Sequence, residues 1–139
     1  MEIKPEYVTF EQAKLLKEKG FNVPTLAYRQ KSARIGDETI LPLALPDDEF
    51  QWGPFDWNNY SKEVPYYSIP EQWQVVEWLR IKHDIWVWVR PFKDHAADNN
   101  DPIQHQMNIF FKGVSISKEF NSHDEAYSAA FDYILKKMI

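Results

Sequence analysis

The stretch Asp94-His95-Ala96-Ala97-Asp98-Asn99-Asn100-Asp101, with His105 beyond it, holds the residue types closest to catalytic or metal-binding chemistry. Imidazoles and carboxylates can ligate a divalent metal, or act as a base and the group that orients it. The spacing matches no compact ligand motif, however, and Asp, Asn and Pro are equally what a connection between two strands needs for its turns. The stretch therefore reads first as a solvated loop. His83 continues the helical stripe of Val76 one heptad on and reads as a helix-end packing or capping residue. His123 lies in the first turn of another helix and reads as a solvent residue. Asp47, Asp48 and Glu49 are adjacent in sequence, whereas a glycosidase-type pair must flank one bond across a cleft. No Gly-rich phosphate loop, nucleophile elbow, H-E-x-x-H or calcium-loop pattern occurs. No catalytic residue, metal or cofactor is expected on these grounds.

A sharper signal is aromatic. Trp52, Phe55, Trp57 and Tyr60 stand close together beside acidic residues, inside a stretch from Pro46 to Tyr67 that loses all periodicity. Rings in that setting can anchor a protein partner or stack on a ring-bearing ligand. The competing reading makes them a lid over a sheet face carrying Trp86 and Trp88. Because small, polar and aromatic residues are mixed over so short a stretch, a split is expected. At least one ring should be buried against the sheet, and at least one partly exposed beside Asp47, Asp48 or Asp56.

Composition narrows the class. At 139 residues without cysteine, the chain can bury a core with no help from disulfides, and thiolate zinc sites are excluded. Sixteen basic and twenty-one acidic residues give a net charge of −5, which disfavours a duplex nucleic-acid binder. The basic groups Lys14, Lys17, Lys19 and Arg29, Lys31, Arg34 read as solvated charge. Aromatics at 16% supply large buried area per residue. The N-terminus carries no apolar stretch behind its charges, and the longest apolar run, Ile85 to Val89, is too short to span a membrane. A cytoplasmic location is expected.

The elements that must position the rings follow from caps and periodicity. Thr9 and Gln12 form a capping box for a first helix, which Gly20 ends in a left-handed conformation with Phe21 folding back. A strand is predicted from Thr25 to about Gln30, and Pro42 reduces Thr39 to Leu45 to an edge strand or extended segment. The aromatic stretch, lacking periodicity but rich in rings, reads as a packed excursion. Ser68-Ile69-Pro70-Glu71 predicts a second capped helix to about His83, with Trp73, Val76 and Leu79 as its stripe. Ile85 to Val89 is a strand whose two faces both need cover, either from helices, from the aromatic loop or from another subunit. It should pair antiparallel with Met107 to Lys112, and Val114 and Ile116 continue that strand or form another. Ser122 and Glu125 open a last helix with Tyr127, Ala130, Phe131, Ile134 and Met138 on one face. The expected architecture is a single α+β domain over residues 1–139, with three helices on a small, mainly antiparallel sheet of three to four strands.

Several of these segments together resemble a group of small uncharacterised proteins encoded by bacteriophages and prophages, especially of Bacteroides-type hosts. The resemblance rests on Gly20-Phe21-Asn22, Leu26-Ala27-Tyr28, the run from Ile69 to Arg80, the Ile85–Val89 strand and Asp124 to Ala130. It covers most of the chain except Asp47 to Tyr66. It implies a phage or mobile-element origin and a host-cytoplasm location, and it carries no activity or functional residues. The leading expectation is a non-enzymatic accessory protein that binds a protein partner or small ligand, with counter-defence or host takeover as roles by analogy. The alternatives are a self-associating structural protein and a small enzyme using the His95 loop.

Overall fold

Thr9 stops the backbone in an extended conformation and opens α1 (Phe10–Glu18). Its hydroxyl accepts from the Gln12 N–H, and the Gln12 side chain accepts from the Thr9 N–H, so two otherwise orphaned donors are satisfied. Gly20, at φ +87°, ends the helix. The Phe21 N–H then reaches back to the Leu16 carbonyl at 2.9 Å, and the Gly20 N–H reaches Lys17. That closure buries Phe21 beside Ala13 and Leu16.

The computed structural model describes residues 4–45, 53–93 and 100–139. The chain divides into two compact units, residues 1–74 and 75–139, and the division falls in the first turn of α2 (Gln72–His83).

In the first unit, β1 (Tyr28–Gln30) and β2 (Tyr66–Ser68) form a two-stranded antiparallel sheet. The segment after β1 adds only isolated bridges, Lys31 to Ile40 and Tyr28 to Ala44. Pro42 stands between them and has no N–H to give. The predicted strand from Thr25 is accordingly shorter, because Thr25 pairs with Phe55 instead of continuing the ladder. Of the basic groups, Lys19 and Arg34 are exposed, as solvated charge should be, and three others make local contacts. Arg29 lies over the Phe10 ring at 4.6 Å, Lys31 pairs with Glu38 at 2.8 Å, and Lys17 donates to the Tyr66 carbonyl at 2.7 Å. Partial burial lowers the Lys17 pKa from its usual value.

In the second unit, β3 (Trp86–Phe92), β4 (Gln104–Phe111) and β5 (Val114–Phe120) form an antiparallel meander. The predicted pairing holds, with Val87 opposite Ile109 and Val89 opposite Met107. Lys112 and Gly113, both at positive φ, make the two-residue turn that gives β5 its own strand. Along α3 (His123–Lys137), Ala126, Ala130, Phe131, Ile134 and Leu135 are buried, and the helix lies against all three strands. Ser122 caps it, accepting from the Glu125 N–H at 3.1 Å. His83 packs edge-on against Trp78, the end-of-helix role expected of it.

The α+β class and the antiparallel pairing stand, but the strands are shared between two sheets. Pro65 and Pro70 flank β2 and have no N–H to give, so its pairing ends with the Ile69 N–H on the Ala27 carbonyl at one end and the Lys31 N–H on the Pro65 carbonyl at the other. Two details of α2 also differ from expectation. Ser68 ends β2 and does not cap the helix; the Glu71 N–H is instead satisfied by the Gln74 side chain at 3.0 Å. The buried face carries Gln72, Val75, Trp78 and Leu79, leaving Trp73 61% exposed. The buried stripe thus runs through Gln72, Val75 and Leu79 and not through Trp73 and Val76.

Open space surrounds Gly20, so the effect of Gly20→Ala comes from φ alone. That variant should lose about 1 kcal/mol of stability in chemical denaturation, with the denaturant slope unchanged.

Candidate functional site

Trp57 and Asn58 lie in a single 3₁₀ turn (Trp57–Asn59), and both are buried. Nothing in this stretch forms a regular ladder, so its buried polar groups must be matched one at a time. Thr25 and Phe55 exchange backbone bonds of 2.8 and 3.1 Å, which ties the start of the turn down. The Trp57 indole N–H then donates to the Thr25 carbonyl at 2.8 Å. The Asn58 side chain donates to the Phe21 carbonyl at 2.9 Å and accepts from the Ser68 N–H at 2.9 Å. Ser68 returns the contact, its hydroxyl accepting from the Asn58 N–H.

This anchoring sorts the rings. Trp57, 5% exposed, stacks on Tyr28 at 4.1 Å between centroids and lies near-parallel to Tyr66 at 6.0 Å. Phe55 and Tyr60 flank it at 5.4 and 5.1 Å and are 37% and 47% exposed. Asp56 follows Phe55 and accepts from the Asn59 side chain at 2.6 Å. Burial, and then the neighbouring phenols of Tyr60 and Tyr28, raise the Tyr66 pKa.

Beside the cluster, beginning at Pro54, lies a groove of about 290 Å³. Prolines 5, 24 and 54 and Leu26 are among its apolar lining, and Tyr7, Glu71, Trp73 and Gln74 are its polar side chains. The Trp73 indole N–H donates to the Glu71 carboxylate at 2.8 Å. Backbone bonds from Val8 to Pro70 and from Gln72 to Glu6 hold this wall together. Desolvation, and then the Glu71 charge, raise the Tyr7 pKa. The carboxylate and the phenol therefore sense one another.

Of the four rings singled out in the sequence, three are thus brought into one cluster, with one buried and two partly exposed. The exposed pair lies next to Asp56, the split that mixed composition implies. Trp52, Asp47, Asp48 and the His95 stretch from Asp94 to Asn99 lie outside the described residues. Within their own unit, the described rings pack on Tyr28 and Tyr66. His105 and His123 come within 6.2 Å, ring to ring, and His123 packs on Tyr127. Among the described residues, no group of three His, Asp or Glu side chains could hold a metal ion. Nor is any helix among them long and apolar enough to cross a membrane.

Sequence reasoning missed Asn58, Ser68 and the Glu71–Trp73 pair. The Asn58-Asn59 doublet was the only local hint of the first. The Glu71–Trp73 pair was legible in principle, because two residues so close at a helix start can meet before the helical register separates them. No protein-family model, curated protein or solved structure matches the chain.

Replacing Trp57 with alanine should cost roughly 3–5 kcal/mol in denaturant melts, since a buried ring and its hydrogen bond are lost. Tyr60→Ala should cost about 1 kcal/mol or less. Equal losses at both positions would show that the two rings are not sorted as described.

Proposed function

We propose that the protein is a non-enzymatic binding protein that engages a protein partner or small ligand through the aromatic surface of its N-terminal unit. The observation that carries this reading is the way Phe55 and Tyr60 are presented. Both are partly exposed, yet both lean on a Trp57 that is itself fastened by stacking and a buried hydrogen bond. Rings pre-ordered in this way lose little freedom on binding, which is what makes aromatic side chains effective anchors. The adjoining groove adds apolar area with a single carboxylate and phenol for orientation. Taken with the resemblance to phage proteins, the role is that of a phage or prophage accessory protein acting in the host cytoplasm, in counter-defence or host takeover.

A second reading has its own observation. On the face of the β3–β5 sheet away from α3, Trp86 pairs with Phe110 and stands two residues from Trp88, and all three rings are exposed. A contiguous exposed apolar face of this kind favours association between copies of the chain.

Two measurements separate the readings. Affinity capture from infected host cells should recover a partner with the wild type and lose it with the Phe55→Ala/Tyr60→Ala double variant, which still folds. Retention of the partner by that variant would remove the first reading. Sedimentation velocity should show a dimer that Trp88→Glu dissociates if the sheet face self-associates. A wild-type chain that stays monomeric at high concentration would remove the second.

A further inference from the structure

We infer that the groove between Pro54 and Trp73 is a site for a small organic ammonium with an apolar tail. The inference deepens the binding reading above and rests on it. Four features of the lining point to this class. Glu71 is the one carboxylate there, and the lining holds no Lys, Arg or His to neutralise it. Among the described residues, no ion pair engages it either. A carboxylate offers about four acceptor positions, and the Trp73 indole takes one of them, which orients the group without discharging it. Trp73 itself is largely exposed, and it lines the groove with Tyr7, so a cation drawn to the Glu71 charge has aromatic neighbours, which attract cations.

The rest of the wall selects the tail. Pro5, Pro24, Leu26 and Pro54 give apolar contact without side-chain donors or acceptors. The Gln74 amide, the remaining polar side chain, is turned back to the Pro24 carbonyl at 3.1 Å. A volume of about 290 Å³ sits at the lower edge of small-molecule sites, so the ligand is a compact amine. Desolvation is the larger cause of the raised Tyr7 pKa and the Glu71 charge the second, and that charge, which disfavours a phenolate, favours an ammonium.

The test titrates the full chain with n-hexylammonium, 1-hexanol and hexanoate, following the Trp73 indole N–H by heteronuclear NMR after assignment with Trp73→Phe. Hexylammonium should shift that resonance saturably and bind at least about tenfold tighter than hexanol, with hexanoate weakest. Glu71→Gln keeps an acceptor for the indole and the shape of the wall. It should lower hexylammonium affinity to that of hexanol and leave hexanol unchanged. Equal binding of the amine and the alcohol, an amine affinity untouched by Glu71→Gln, or no shift at tens of millimolar would each overturn the inference. Tighter binding of the tripeptide Gly-Lys-Gly than of hexylammonium would overturn it in favour of a partner's lysine. Phe55 and Tyr60 lie outside the groove lining, so failure here is distinct from failure of the capture experiment.

Discussion

The Asn58 side chain joins three segments far apart in sequence: the exit of α1 at Phe21, the 3₁₀ turn, and the end of β2 at Ser68. The N-terminal unit depends on that junction because its sheet is too short to organise the rest. Each strand is three residues long, and the chain between them follows no repeating pattern. Buried peptide groups in such a stretch carry a desolvation cost unless each finds a partner. A primary amide suits the position because it donates and accepts from one planar group. Aspartate could not donate to Phe21, and leucine could do neither.

Once Asn58 is held, its neighbour has little choice. Trp57 is directed against Tyr28, and its indole N–H finds the Thr25 carbonyl. Phe55 and Tyr60 are then left on the outside of the same turn. The division between structural and presented rings is thus a consequence of hydrogen bonding, not of hydrophobicity. All of these rings are apolar enough to be buried. The same turn brings Pro54 to the edge of the groove, so the ring cluster and the groove wall share one anchoring.

The second unit is stabilised differently. Its meander and α3 satisfy their backbone groups through regular ladders, and burial of Val87, Ile109, Met107, Phe131 and Ile134 supplies the driving force. Regular elements of this sort leave few irregular side chains to act on a ligand. Irregular segments carry binding residues more often, because their side chains are not committed to a repeating face. The contrast is the reason the proposed binding surface is assigned to the N-terminal unit.

What the sequence determined by itself was local. The capping box at Thr9, the left-handed Gly20 with Phe21 folded back, the Ser122 cap and the antiparallel pairing of the Val87 strand with the Met107 strand all depend on residues near one another or on simple alternation. The mixed character of the aromatic stretch was legible too, as a split between buried and exposed rings. What only the tertiary structure decided was which groups meet across long separations. Ser68 has the composition of a helix cap, yet it serves Asn58, because a buried N–H ten residues away had a stronger claim on its hydroxyl. Trp73 fits a helical stripe, yet it is exposed, because packing in the folded chain turns the face of Gln72, Val75 and Leu79 inward. The groove assembles residues from Pro5 to Gln74, and no local pattern encodes contacts whose partners are set by chain closure.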